Sequence, residues 1–417
     1  MSSQLSKSPV YRLLTDRSNK RGDTIGVEVE RLVRRPGQGI VHYEPNMRRL
    51  FDEMVAEQSW ESAYEFEGQI LAVKKSSNYI SLEPGGQLEI SAAPQEKIFD
   101  VWESEKNIEA QVLATREAQG WKWLWIAVNP FEKVEDIKII PSPRYQIMTD
   151  YFPTVGKRGL EMMRLTTGFH LNLDFHDEAG ACDLLRTSFA IVPELVGFLA
   201  NSPYEFGSKT GNLSERSKIW ADTDPARSGA PSFVFSDFGF KHYVDYVESV
   251  PLMYVFTESG LVEPGGGRSL RELPENLREP NALSAMRQIF TEARLKPCCV
   301  ELRCFDQQTP ERRYAAVALA VGLLYDESNR REINLNFKSV TQANYLRKLD
   351  IAARAGMQND ELFESIKKYL SMAEKALVRR GFGEEELLEP LVELIRLRKT
   401  PAELMMEADF LEALRES

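Results

Sequence analysis

Four short stretches alternate apolar and polar side chains with a period of two, and they constrain this chain more than any other feature. In a β-strand, residues i and i+2 point to the same face. Gly26-Val27-Glu28-Val29-Glu30 puts both carboxylates on one face and both valines on the other. Gln87-Leu88-Glu89-Ile90-Ser91 sets Glu89 between Gln87 and Ser91. Phe169 through Phe175 aligns His170, Asn172 and Asp174 opposite four apolar side chains, and Val300-Glu301-Leu302-Arg303 gives Glu301 and Arg303 a common face. Such strands predict an antiparallel sheet whose apolar side is covered by helices, an α+β fold.

The polar faces can be read in two ways. In one, they simply meet water. A solvated face, however, usually draws Thr, Lys and Ser, whereas these carry Glu, His, Asn, Asp and Arg. If the faces converge, the carboxylates repel one another unless cations lie between them. Hard oxygen ligands favour magnesium or manganese, and magnesium bridges carboxylates to nucleotide phosphates. The pattern therefore predicts metal ions clamping a polyphosphate, with Arg303 as a fork on one phosphate. His170 reads either as a ligand or as a satisfied core histidine. The turn Glu83-Pro84-Gly85-Gly86-Gln87 runs straight into Glu89, so Glu83 and Glu89 are expected to reach one cavity from either side of the bend. No Walker-type loop or kinase glycine-rich loop occurs, and Gly265-Gly266-Gly267-Arg268 reads as a flexible loop.

Periodicity elsewhere predicts strands at 24–33, 68–74, 121–128, 166–175, 251–256 and 298–304. Helices are expected at 40–60, 98–119, 177–200, 282–294 and 313–325, and in parts of 144–163 around Pro153. Residues 201–239 and 261–279 read as loops. The first 20 residues read as a flexible tail, and 21–417 as a single catalytic domain whose part 341–417 is helical. With 43% apolar and 28% charged residues the chain can bury a sizeable core. A net charge of -11 argues against a general nucleic-acid or acidic-membrane surface, although Arg31, Arg34 and Arg35 form a local basic cluster. No 18 apolar residues run together, so no membrane span is expected. The polar, basic start lacks an apolar signal segment, which reads as an intact cytoplasmic chain. Cys182, Cys298, Cys299 and Cys304 fit neither a zinc site nor a disulfide framework, and read as reduced thiols. Cys304 as a nucleophile is the weaker alternative.

At the same residues the sequence resembles the plant-like glutamate–cysteine ligases, which also occur in bacteria. The resemblance is carried by Gly26 to Glu30, Ser81 to Ser91, Arg144 to Met148, Gly159 to Met163, Asn172 to Phe175 and Asn201-Ser202-Pro203. It continues through Arg216 to Asp224, Phe238 to Tyr246, Glu301-Leu302-Arg303, Arg379 to Phe382 and Thr400 to Glu403. It implies a glutamine-synthetase-like fold, a curved antiparallel half-barrel with helices on its outer face. It further implies an ATP-dependent ligase that phosphorylates the glutamate side-chain carboxylate and couples γ-glutamyl phosphate to the amine of cysteine, the first step of glutathione synthesis. By motif position, Glu28, Glu30, Glu83, Glu89, His170 and Glu301 are expected to hold two or three Mg2+ ions, with Mn2+ as a substitute. Glu301, Arg303 and Glu89 are the expected catalytic residues, and Asn172 and Arg303 the expected ATP contacts. Arg216 and Arg227 are expected on substrate carboxylates, because planar forks suit them. Trp220, Arg144, Met148 and Tyr151 are expected to wall the pocket, although Trp220 and Met148 also read as core and Arg144 as a surface charge.

The chain departs from the plant-type pattern in three places. His170 stands where the plant-type ligases have Gln, as in more distant bacterial ligases. The loop 261–280 is shorter and has no cysteine, so the regulatory disulfides of the plant enzymes are not expected. Three cysteines between Lys296 and Cys304 replace a charged and aromatic segment, which leaves another amino acid or amine open as the acceptor. The partners implied are glutamate, ATP and an amine, with the chain a monomer or homodimer and no nucleic acid or membrane involved. A catalytically dead regulator is disfavoured, since every carboxylate that the metals need is present.

Overall fold

In the computed structural model, which describes residues 5–16 and 22–416, the first alternating stretch becomes the strand Ile25–Arg35. It pairs antiparallel with Gly168–Asp174 on one side and Leu88–Ser91 on the other. The sheet continues through Cys299–Asp306 and Ala293–Leu295 on the first flank, and through Asn78–Leu82, Gln69–Lys75 and Glu61–Phe66 on the second. Register then decides the chemistry. Glu28 lies opposite His170, Glu30 opposite Glu89, and Asn172 opposite Glu301. Directly opposed residues share a face, so the polar sides of the four strands merge into one.

The other face is the core. Val27, Val29, Phe169, Leu171, Leu173, Val300 and Leu302 are buried in one cluster with the helices Glu178–Leu199 and Pro310–Leu324. Each fully buried aliphatic side chain contributes about 1.5–3 kcal/mol. A slip of one residue would drive Glu28 and Glu30 into this cluster, so burial holds the register. Residues of Gln342–Ala355 and Asp360–Arg380, among them Leu349, Leu362 and Ile366, join the same cluster, which puts these two helices on the outer side of the sheet. A second cluster, including Phe51, Ile80, Ile90, Trp121, Tyr145 and Met163, packs around the other flank.

Several expectations need correction. The expected tail contains the helix Pro9–Thr15, capped by Ser8, whose Val10 and Leu14 are fully buried in the main core. The rest of that stretch, 1–4 and 17–20, lies outside the described residues. Only Lys122–Leu124 of 121–128 is a strand. Beyond it the backbone bonds to a loop and to a helix end, Ala127 N to Asn201 O and Asn129 N to Leu165 O, with one isolated bridge from Val128 to Thr166, so burial of the tryptophan-rich segment does not extend the sheet. The helix expected at 282–294 is Glu275–Arg287, and Ala293–Leu295 is a strand. The region 261–279 includes Val262–Pro264, paired with Tyr254–Phe256. The basic cluster is no surface patch: Arg31 is fully buried and paired with Glu105, which also takes Arg313. No helix among the described residues is long and apolar enough to cross a membrane.

Candidate active site

The turn before Glu89 shows how local sequence positions a carboxylate. Gly86 adopts φ +85°, and a side chain there would press on the Tyr43 backbone nitrogen at 3.2 Å. At Gly85 a Cβ would meet Arg164 O at 2.6 Å. Both positions therefore call for glycine. Glu83 and Gln87 close the bend through backbone bonds, and the Gln87 amide donates to Thr166 O at 3.0 Å, anchoring the turn beside the His170 strand. Glu83 and Glu89 consequently face one cavity.

That cavity, of about 310 Å3, is lined by Glu28, Glu30, Glu83, Glu89, His170, Glu301 and Arg303. Arg144, Met148 and Trp220 also line it. The six carboxylate and imidazole groups fall into two trios: Glu28, His170 and Glu301, and Glu30, Glu83 and Glu89. Within each trio the potential ligand atoms all lie within 4.8 Å of one another. The donor set suits a hard divalent ion: five carboxylates and one imidazole, with His170 Nε2 buried and without a hydrogen-bond partner.

The electrostatics of the trios differ. Burial would raise the Glu28 carboxyl, but Lys296 and the hydrogen bond with His170 outweigh it and hold the group at about 2. Burial likewise opposes ionisation of Glu301, yet Arg294, Lys296 and Arg303 hold it well below the ordinary range. In the other trio, burial and then the charge of Glu30 push Glu83 up to about 7. Burial and then Glu83 push Glu89 well above the usual value.

The remaining expected residues divide. Arg303 Nη1 donates to Glu301 Oε2 at 3.0 Å, and its guanidinium lies 5.5 Å from the Trp220 ring. Asn172 donates to Glu28 Oε1 at 3.2 Å and accepts from Lys296 at 3.1 Å, at the edge of the first trio. Arg216 stands behind the cavity: it is buried and donates to Arg303 O at 3.0 Å. Arg227 and Tyr151 do not line the cavity. Arg227 is fully buried, paired with Asp224, and gives its other donors to Gln288 O, Pro251 O and the Tyr151 hydroxyl. The Tyr151 hydroxyl in turn donates to Asp224 at 2.9 Å. The expectation that Arg227 binds a substrate carboxylate and Tyr151 walls the pocket is thus corrected: their polar groups are consumed in an internal network. None of the four cysteines forms a disulfide, and burial pushes the Cys304 thiol up, which disfavours a nucleophile there.

Sequence reasoning missed Arg294 and Lys296. Arg294 lies opposite Glu301 and pairs with it. Lys296 Nζ donates to Glu28 Oε1 at 2.9 Å and Glu301 Oε1 at 3.2 Å. The signal was the alternation Glu292-Ala293-Arg294-Leu295-Lys296, hidden by reading the segment as the end of a helix.

Residues 24–416 match the glutamate-cysteine ligase family 2 (GCS2). The chloroplastic glutamate–cysteine ligase of Arabidopsis thaliana is 35% identical over 361 residues, covering 84% of this chain and 69% of that protein. The chloroplastic glutamate–cysteine ligase B of Oryza sativa subsp. japonica is 33% identical over 398 residues, covering 92% and 78%. The crystal structure of glutamate–cysteine ligase from Francisella tularensis in complex with AMP superposes with a TM-score of 0.58 at 12% identity, covering 95% of this chain and 88% of that one. This last likeness is one of fold, and it agrees with the glutamine-synthetase-like sheet and outer helices expected from the sequence. The chloroplastic relatives overturn the cytoplasmic location expected from the polar start, which a short basic segment alone could not establish. From its match across residues 24–416 and its kinship with the plant enzymes, this chain belongs to the glutamate–cysteine ligase family 2.

Proposed function

We propose that this chain forms γ-glutamylcysteine from glutamate and cysteine, driven by ATP, with the two carboxylate trios as its metal-holding machinery. The observation that carries this reading is the convergence of both trios and Arg303 on one polar sheet face around one cavity. When bound, Mg2+ ions supply positive charge that neutralises the triphosphate and the phosphoryl group in transfer. Glu28, His170 and Glu301 would hold one ion, and Glu30, Glu83 and Glu89 another. The same holding chemistry would accept Mn2+.

The residues of the chain divide the remaining work. Arg303 stabilises the developing charge on the transferring phosphoryl group as its oxygen bond to ADP breaks and a bond to the glutamate γ-carboxylate forms. Arg216, lying behind Arg303 and donating to its carbonyl, positions that guanidinium rather than meeting substrate. Arg144, Met148 and Trp220 shape the cavity where glutamate would sit. The free amine of cysteine then attacks the acyl carbon of γ-glutamyl phosphate, phosphate leaves, and the amide remains. Asn172, beside Glu28, would orient the nucleotide end. The chain from the Pro9–Thr15 helix through its C-terminal helices would act as one catalytic unit.

The test is ADP release with glutamate, ATP and Mg2+ across a panel of amines. Cysteine should exceed alanine and simple alkylamines in kcat/KM by at least about tenfold. Equal rates with alanine would overturn cysteine as the acceptor, and no amine-dependent ADP release would overturn the ligase reading.

A further inference from the structure

Lys296 follows the strand Ala293–Leu295 and precedes Pro297, with its backbone N–H bonded to Cys299 O at 2.8 Å. Its ammonium meets three acceptors: Glu28 Oε1 at 2.9 Å, Asn172 Oδ1 at 3.1 Å and Glu301 Oε1 at 3.2 Å. An ammonium has three donors, so this set satisfies it. Two of the three acceptors belong to the Glu28–His170–Glu301 trio, so the charge sits among the atoms that an ion would bind. The other oxygen of Glu301 is shared by Arg294 and Arg303. Two carboxylates here face three cationic groups.

The neighbouring trio makes no such direct contacts; Arg144 and Arg303 act on Glu83 through their charge, from across the cavity. Among the described residues Glu30, Glu83 and Glu89 form no ion pair with any lysine or arginine; Glu30 lies 3.6 Å from His170 and accepts from the Gly168 N–H at 2.8 Å. A divalent ion entering there relieves repulsion between carboxylates. One entering the first trio must displace an ammonium and sit beside two guanidinium groups.

We propose that Lys296 is a tethered cation built into the Glu28–His170–Glu301 trio, so that the nucleotide-free protein holds one divalent ion tightly, at Glu30–Glu83–Glu89, and a second about tenfold or more weakly. The inference rests on the reading that both trios hold metal. Titrating nucleotide-free protein with Mn2+, with free Mn2+ followed by electron paramagnetic resonance, tests it without turnover. The wild-type chain should show one tight ion and a second weaker by about tenfold or more, and K296M should tighten the second by about the same factor. As a check that leaves Lys296 in place, E89Q should remove the tight ion while E28Q spares it. Two ions of equal affinity in the wild-type chain, loss of the tight ion in E28Q, or an unchanged second ion in K296M would overturn the proposal. No Mn2+ binding at all would instead overturn the metal-holding reading on which it stands.

Discussion

The two trios share one sheet face, one cavity and nearly the same residue types, yet their charges are handled in opposite ways. Glu28 and Glu301 are held ionised, against burial, by Lys296, Arg294 and Arg303. Glu83 and Glu89 are held toward the neutral form by burial, with the charge of Glu30 acting on Glu83 and that of Glu83 on Glu89. A cluster of carboxylates is therefore not one electrostatic object. Its behaviour depends on which cations the neighbouring strands bring in, and the Ala293–Leu295 edge brings them to one trio only. The first trio is built to be stable before any ion arrives, and the second stores repulsion that an ion can relieve.

Breaking the charge of either trio should have its largest effect on turnover. E301Q is expected to lower kcat for ADP release by about 10^3-fold, the scale of losing a group that stabilises transition-state charge. E89Q should fall in the same direction, and retention of more than about half the wild-type rate in either variant would separate that trio from the chemistry.

Stability without metal should split the trios by sign. In a chelator, E301Q leaves Arg294, Arg303 and Lys296 facing a neutral amide and should destabilise the protein by about 3 kcal/mol. E89Q removes a buried, repelled carboxylate and should raise stability by about 1 kcal/mol. Urea unfolding measures both, and shifts of the same sign would erase the contrast.

The pH dependence sharpens it further. Glu83 is pushed up to about 7 from an ordinary 4.5, so the folded protein keeps a proton that the unfolded chain has lost. Its stabilising share is full below about pH 4.5 and is lost as pH rises through about 7. Metal-free wild-type protein should therefore lose stability across that window, and E83Q should show a shallower slope in thermal melts. Because ion binding needs the carboxylate, Mn2+ affinity should rise over the same range.

The smallest effect is expected away from both trios. Y151F removes the hydroxyl that links Arg227 to Asp224 and should cost about 1 kcal/mol of stability, with the KM for glutamate nearly unchanged. A large rise in that KM would return Tyr151 to the pocket wall.

The period-two pattern alone was enough to read which side chains share a face, because alternation is a local property of an extended backbone. It placed Glu28, Glu30, Glu89, His170 and Glu301 opposite a valine-, leucine- and phenylalanine-rich core side, and the strands that carry them form where alternation is strongest. The bend at Glu83 was equally legible from its two glycines, of which Gly86 takes a positive φ and Gly85 a close approach to the Arg164 backbone. What remained hidden depended on partners distant in sequence. Trp121 to Val128 looks like a buried strand, but only Lys122–Leu124 finds a strand edge. Arg227 looks like a substrate fork, but Asp224, Gln288, Pro251 and Tyr151 close around it. By itself the sequence determined the sheet, its two faces and the ligand-type residues on one of them. Only the tertiary structure decided how those residues divide into two trios and that Lys296 and Arg294 join just one. The physical reason is that register and cross-strand charge are settled by long-range pairing and burial, whereas alternation is settled within a few residues.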